Sequence, residues 1–231
     1  MSLPFKLLQL SPSIYSLCFE SSFDSDLHHY AAVLKKSIPK VEEVLCTFDR
    51  VTLFFTEDVT KAELVGALST IDYQKTAVAP SVVWEIPLCF DSEYKDLLTY
   101  FQGDQNAVIR YQERFFSLQF RLSFYGFLPG FGYLSGLPTS MHLDRKQNPV
   151  GIAKGDVAIG GGQVGVYPQA SPGGWQRIGN CPVPWMDLRQ DPSARIKPGD
   201  SIRFVAVDEA DFHAIALQVK NNQYHFKKEI K

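Results

Sequence analysis

Several features that mark large protein classes are missing from this sequence. None of its apolar runs approaches the ~18 residues that span a bilayer. Neither sign of charge is in excess, with 23 lysines and arginines against 25 acidic residues and a net charge of −2. That balance gives no field to draw in nucleic acid or an anionic membrane. Cysteine is sparse. Cys18, Cys46, Cys89 and Cys181 lie far apart with no C-x-x-C spacing, which excludes a zinc knuckle or thioredoxin-type pair and leaves core thiols as the simple reading. His28, His29, His142, His213 and His225 fit no H-E-x-x-H or facial-triad spacing, so no metal site is expected. G-x-S-x-G and G-x-x-x-x-G-K-[ST] are absent, which removes a hydrolase elbow and a P-loop. The opening MSLPFKLLQLSPS carries no signal-peptide cleavage pattern, and the expected location is cytoplasmic.

Glycine is scarce in one part and crowded in another. The first 83 residues hold Gly66 alone, whereas 13 of the 16 glycines lie between Gly126 and Gly179. That window carries six charged residues: Asp144, Arg145, Lys146, Lys154, Asp156 and Arg177. Glycine is needed where the backbone takes positive φ or lets another group approach closely. A site is therefore expected in this window.

The glycine-poor part is legible as elements. Residues 14–20 alternate as a strand, with Tyr15, Leu17 and Phe19 on one face. Asp24–Ile38 predicts a helix with Leu27, Tyr30, Ala31, Leu34 and Ile38 inward, ended by Pro39. Val41–Phe48 and Val51–Thr56 predict a hairpin turning at Asp49-Arg50. Thr60–Ile71 predicts a second helix with Leu64, Val65, Leu68 and Ile71 inward, and Ser81–Phe90 a further strand. The order β-α-β-β-α-β is the split-βαβ, ferredoxin-like pattern. Asp91–Ser117 is helical in tendency, with a break near Gly103-Asp104. From Leu118 short strands alternate with Gly and Pro turns, as in a barrel or sandwich, and 221–231 forms a polar end or a frayed strand. The expected class is α+β, with an N-terminal α/β lobe over 1–80 and a β-barrel domain over 81–231.

Gly160-Gly161-Gly162-Gln163-Val164-Gly165 formally fits G-x-G-x-x-G, but Val166-Tyr167-Pro168 cannot open the helix that a dinucleotide site requires. A strand-to-strand loop is expected instead, its glycines facing a ligand or a packed neighbour. His142 is read as a solvated loop histidine. Arg145 and Lys146 are either an exposed pair or a clamp for carboxylate or phosphate. Gln163 and Tyr167 flank Gly165 and can offer an amide and a phenol. Pro172-Gly173-Gly174-Trp175 is a tight turn whose indole either caps the core or walls a cleft.

Four segments together resemble a known family. They are Gly126-Phe127-Leu128-Pro129-Gly130-Phe131-Gly132-Tyr133-Leu134, then residues 159–168, then residues 171–179, then Lys197-Pro198-Gly199-Asp200-Ser201-Ile202-Arg203-Phe204. Their order and spacing, with Glu85-Ile86-Pro87-Leu88-Cys89-Phe90 upstream, resemble allophanate hydrolase subunit 1, also known as the 5-oxoprolinase B-subunit, a family that includes KipI-type kinase inhibitors. The resemblance implies a small N-terminal α/β lobe and a C-terminal cyclophilin-like β-barrel in a bacterial cytosolic protein. It implies two partners. One is a second cyclophilin-like subunit (the 5-oxoprolinase C-subunit, or allophanate hydrolase subunit 2), and the other is the LamB/YcsF-type A-subunit. It also implies ATP-dependent opening of the 5-oxoproline lactam to glutamate. On that reading Arg145, Gln163 and Tyr167 are the catalytic candidates. Phe127, Pro129, Phe131, Tyr133, Gly161, Gly162, Gly173, Gly174 and Trp175 line the substrate cleft.

The sequence departs from the family at three places. The histidine upstream of G-F-x-P-G-F is missing, since none lies between His29 and His142. Arg145 matches the first of two family arginines, but Val150 stands for the second. Pro-Ala-Gly-Ser is replaced by Ala153-Lys154-Gly155-Asp156, which brings Lys154 and Asp156 forward as substitute charges. A histidine base and an arginine clamp are what such chemistry asks for. Their loss implies a subunit that acts only with its partners. The alternatives are a KipI-type, non-catalytic inhibitor of a sensor histidine kinase and a cyclophilin-like module without isomerase activity.

Overall fold

The computed structural model describes residues 5–19, 27–71, 82–90, 95–186 and 194–230. The chain divides into two compact units, Met1–Pro80 and Ser81–Lys231, each mixing helices with a sheet. None of the helices among the described residues is long and apolar enough to cross a membrane.

The first unit contains β1 (Phe5–Ser11), β2 (Ile14–Phe19), α1 (Leu27–Ser37), β3 (Val41–Cys46), β4 (Arg50–Phe55) and α2 (Lys61–Ser69). Its four strands form one antiparallel sheet in the order β1-β2-β4-β3. Period-two alternation fixes its inner face. Tyr15, Leu17 and Phe19 of β2 and Val51, Leu53 and Phe55 of β4 are all buried, with Leu17 opposite Val51 and Tyr15 opposite Leu53. Tyr30, Ala31, Leu34 and Ile38 from the first helical segment and Leu64 and Leu68 from α2 complete this core. The nine-residue α2 is too short to persist by propensity. A capping box secures it, in which the Glu63 backbone N–H donates to Thr60 Oγ1 and the Thr60 N–H donates to Glu63 Oε2 at 2.8 Å. Val65, expected inward, is exposed. Residues 24–26 of the expected first helix lie outside the described residues.

The second unit runs β5 (Val82–Leu88), α3 (Lys95–Tyr100), α4 (Gln105–Phe116), β6 (Phe120–Tyr125), β7 (Gly132–Ser135), β8 (Val150–Ile152), β9 (Asp156–Gly160), β10 (Gln163–Val166), β11 (Ser171–Gly173), β12 (Gln176–Asn180), β13 (Ser201–Ala206), α5 (Glu209–Lys220) and β14 (Lys227–Ile230). Eight strands form one sheet, β12-β9-β10-β7-β6-β13-β5-β14, and β8 pairs separately with β11. The large sheet curls until β12 meets the residue after β5. There Cys89 and Asn180 exchange two backbone hydrogen bonds of 3.0 and 2.9 Å. Phe115 of α4 is buried against Phe120 and Phe204 at the heart of the core, beside Leu122, Leu134, Ile159 and Val164.

The fourth strand of the expected split-βαβ pattern is thus corrected. Residues 82–88 lie in the second unit, parallel to β13 and antiparallel to β14. The place beside β2 is taken by β1, an N-terminal strand that pairs Phe5 with Phe19.

Candidate functional site

β9 and β10 show different characters on their two faces. Val157, Ile159, Val164 and Val166 point into the main core. Ala158, Gly160, Gln163 and Gly165 point the other way, because Gly165 pairs with Ala158 and Tyr133, and Gln163 with Gly160. With almost no side chain there, rings lie directly on the backbone. A Cβ on Gly165 would sit 2.4 Å from Phe131 Cζ, and one on Gly160 would sit 2.5 Å from Trp175 Nε1. Phe131, Ile152, Ala158, Tyr167 and Trp175 form a separate buried cluster on this face. Phe131 is its centre, with ring centroids 4.7 Å from Tyr133, 4.8 Å from Tyr167 and 5.7 Å from Trp175. The rings meet edge to face, the favoured aromatic geometry. The crowding of glycine is therefore explained in large part by the seating of rings supplied by the G-F-L-P-G-F-G-Y and P-G-G-W segments.

The G-x-G-x-x-G match is a tight hairpin. Gly161 and Gly162 are the two residues between paired Gly160 and Gln163, and Gly161 takes φ +65°. Glycine at the first central position is the signature of a two-residue hairpin loop of this hand. The turn is held by Leu143, which exchanges backbone hydrogen bonds with Gly161, and the His142 ring covers Gly162 where a Cβ would come within 2.6 Å.

Arg145 is placed by its neighbours. The Lys146 N–H donates to the Gly174 carbonyl at 2.7 Å, and Gln176 Nε2 donates to the Asp144 carbonyl at 2.9 Å. Between these ties the Arg145 guanidinium lies over the Trp175 ring, 5.5 Å from its centroid. Lys146, the other half of the expected pair, is turned away and bound to Asp96. The same carboxylate accepts from Arg177 through the backbone N–H at 2.9 Å, Nε at 3.0 Å and Nη2 at 3.1 Å. No motif drew attention to Asp96 in the sequence.

The remaining candidates divide by exposure. Tyr167 is 3% exposed, and its hydroxyl lies against Gly173. Burial pushes its phenol up to about 12, so it stays neutral near pH 7 and can donate but not act as a base. Burial also raises the Tyr133 phenol, against a smaller opposing pull from the Arg145 guanidinium. Trp175 is 7% exposed, which makes it a packed residue at the edge of the cluster. Gly174 and Gln163 are partly open. Val150, standing where the family has its second arginine, is exposed and pairs with Gly173. Asp156 is fully buried and accepts from the Ala153 N–H and Asn180 Nδ2, so it is a turn-holding group rather than a substitute acid. Lys154 lines a different cleft of about 260 Å³, beside Cys181 and Trp185. No group of three or more His, Cys, Asp or Glu side chains among the described residues could hold a metal ion.

Phe127 and Pro129 sit on an exposed turn. The Leu128 N–H donates to the Gly126 carbonyl at 2.7 Å, which closes a three-residue turn around Phe127 at φ +65°. A bulky residue in that region is strained by ~1–3 kcal/mol, and such strain tends to sit at functional positions. Phe127 is nonetheless 64% exposed, with its ring edge-on to Phe131. Phe127→Gly is expected to relieve the strain, less ~0.5–1 kcal/mol for glycine's unfolded-state entropy. Its melting midpoint should rise by about 2–4 °C. A lower midpoint in a thermal melt would mean that the exposed ring contributes more to packing than the turn costs.

A model of the carboxyltransferase domain, subdomain C and D, matches residues 11–196. The 5-oxoprolinase B-subunit of Bacillus subtilis (strain 168) is 27% identical over 234 residues, covering 93% of this chain and 98% of that protein. The 5-oxoprolinase B-subunit of Escherichia coli O157:H7 is 45% identical over 94 residues, 40% of this chain and less than half (43%) of that relative. Among solved structures, the urea amidolyase of K. lactis shares the fold, with a TM-score of 0.73 at 18% identity over all of this chain and 16% of that one.

Proposed function

This chain belongs to the carboxyltransferase domain, subdomain C and D, family, in the group that holds the 5-oxoprolinase B-subunit and allophanate hydrolase subunit 1, and on that premise we propose that it is the B-subunit of an ATP-dependent 5-oxoprolinase. In this reading it is a cytoplasmic, bacterial, non-autonomous subunit. It works with a second cyclophilin-like subunit and the LamB/YcsF-type A-subunit to open 5-oxoproline to glutamate. The curled eight-stranded sheet is read as the cyclophilin-like barrel, and the N-terminal unit as a ferredoxin-like lobe whose fourth strand is supplied by β1.

The observation that carries the proposal is Arg145 held over Trp175, with Tyr133 beside it and the Gln163 side chain on the same face of the sheet. 5-Oxoproline is a small lactam with one carboxylate. The guanidinium pairs with that carboxylate, the ring lies against the partly open Tyr133, and the Gln163 amide matches the lactam N–H and C=O. The face does not fit a triphosphate. Arg145 is its available cation among the described residues, because Lys146 and Arg177 are both bound to Asp96. The nucleotide is accordingly assigned to the complex and not to this face.

The test is to combine the three purified subunits with ATP and 5-oxoproline. Glutamate release is expected only when this chain is present. Gln163→Ala should cut the rate about tenfold, the value of one lost hydrogen bond of ~1.4 kcal/mol, with melting unchanged. Release that is indifferent to omission of the chain overturns the reading. A KipI-type inhibitor is favoured by one observation, the exposed Phe127 turn, which suits a protein edge. That reading predicts no glutamate and reduced autophosphorylation of a sensor histidine kinase.

A further inference from the structure

Another cleft, of about 610 Å³, is lined in part by His142, the residue whose ring covers Gly162. One wall is the stripe Ala107, Arg110, Tyr111 and Arg114, at the i, i+3, i+4, i+7 spacing of one face of α4. Ser140, Met141, His142 and Leu143 form the other, and Tyr100 and Phe101 complete the lining. The two walls are fixed to each other, because the buried Tyr111 hydroxyl donates to the Met141 carbonyl at 2.7 Å. The volume lies in the roughly 300–1,000 Å³ range of small-molecule sites.

The chemistry of the lining is one-sided. It contains two guanidinium groups, an imidazole and a serine hydroxyl, and no carboxylate. Arg110 reaches Asp104 at 3.8 Å, an exposed pair that is easily exchanged. Arg114 forms no ion pair among the described residues. His142 Nε2 lies 3.3 Å from the Leu137 carbonyl, which leaves Nδ1 for other contacts. Packing does not explain the arginines, since α4 is anchored by Tyr111 and Phe115 while both arginine side chains are exposed. Two guanidinium forks start one helical turn, about 6 Å, apart. They offer more charge and more donors than one carboxylate can use, whereas a phosphoryl group brings about −1.5 to −2 and three acceptor oxygens. We propose that this cleft between α4 and residues 140–143 binds a phosphate-bearing anion, held by Arg110 and Arg114. The assignment does not depend on the 5-oxoprolinase reading, because binding is measured without turnover.

The experiment is isothermal titration of the full chain with inorganic pyrophosphate, and separately with glutarate, at ~0.15 M salt so that diffuse surface attraction is screened. Saturable one-to-one binding of pyrophosphate is expected. It should weaken about tenfold in Arg114→Gln, by one charge-assisted contact of ~1.4 kcal/mol, and be lost in the Arg110→Gln/Arg114→Gln double variant. Arg50→Gln, at an exposed arginine of the first unit, should bind like the parent. Absence of saturable binding overturns the proposal, as does equal weakening by Arg50→Gln. Glutarate binding as tight as pyrophosphate also overturns it, in favour of a carboxylate ligand. Both arginines are exposed, so the variants should melt with the parent. If a glutamine variant melts early, Arg114→Lys reads the same contact, since it keeps the charge and loses the fork.

Discussion

Gly165→Ala is expected to lower the melting midpoint by roughly 6–12 °C and to disorder the aromatic face. The new methyl would lie 2.4 Å from Phe131 Cζ and 2.9 Å from Trp175 Cζ3. Phe131 cannot move aside, because it is 1% exposed and walled by Tyr133, Tyr167 and Trp175. Overpacking of this kind costs ~1–3 kcal/mol, and the confinement of the ring puts this case at about 3. Each kcal/mol moves the midpoint of a domain of this size by about 2–4 °C. Gly151→Ala is the matched control. A Cβ there meets nothing within 4 Å, and its φ is outside the left-handed region. That substitution should be neutral or stabilising by ~0.4–1 kcal/mol through the unfolded chain. Near-ultraviolet circular dichroism should lose ring signal in Gly165→Ala only. Equal midpoints for the two variants would refute the view that these glycines are seats for rings.

What the sequence disclosed about the fold follows from which interactions are local. The alternating Tyr15, Leu17, Phe19 and Val51, Leu53, Phe55 could be read because a half-buried strand must alternate. The break at Gly103-Asp104 could be read because Asp104 caps α4, its Oδ1 accepting from the Ala107 N–H at 3.0 Å. β1 could not, because FKLLQLS does not alternate and is made a strand by pairing with β2. The destination of residues 82–88 was equally hidden. Their parallel partner β13 lies more than a hundred residues away, and such pairing leaves no mark in a local window. α5 has no fully buried residue and little amphipathy, so its one usable signal was the Asp208 cap on the Asp211 N–H.

The candidate site shows the same division. Glycine density pointed to this face, since the cluster around Phe131 lies within that window. Density alone did not say what approaches each glycine, because Gly160 meets Trp175, Gly162 meets His142 and Gly173 meets Ile152 from distant parts of the sequence. On sequence Tyr167 can reach a ligand, and the Trp175 indole either caps the core or walls a cleft. The structure makes Tyr167 a core residue and Trp175 the floor beneath Arg145. Asp96 lies outside the window altogether, in a helix whose pattern signalled only helicity.

Asp96→Ala should be as damaging as Gly165→Ala, by a different route. The carboxylate side chain is 11% exposed and serves two cations that are themselves mostly shielded, Lys146 and Arg177. Removing it takes a shielded carboxylate away from both cations, and loss of one partner from a buried pair costs ~3–5 kcal/mol. Partial solvation of Arg177 brings the expected loss to about 3 kcal/mol, again roughly 6–12 °C. The effect has a pH signature. Burial alone would raise the Asp96 carboxyl, but the hydrogen bonds from Arg177 and Lys146 outweigh it and hold the group below its usual range. Its folded value is thus depressed relative to an unfolded value of about 3.9. The stabilisation is complete above that value and is lost as pH falls through the folded one. Melting curves of the parent and of Asp96→Asn should differ fully at about pH 6 and converge as pH falls through the depressed folded value. A gap that stays constant with pH would mean that the carboxylate's charge is not what holds the cluster. Lys146 and Arg177 also flank the segment that sets Arg145 over Trp175. Loss of Asp96 should therefore weaken the proposed binding of 5-oxoproline at the aromatic face even at temperatures where the variant remains folded.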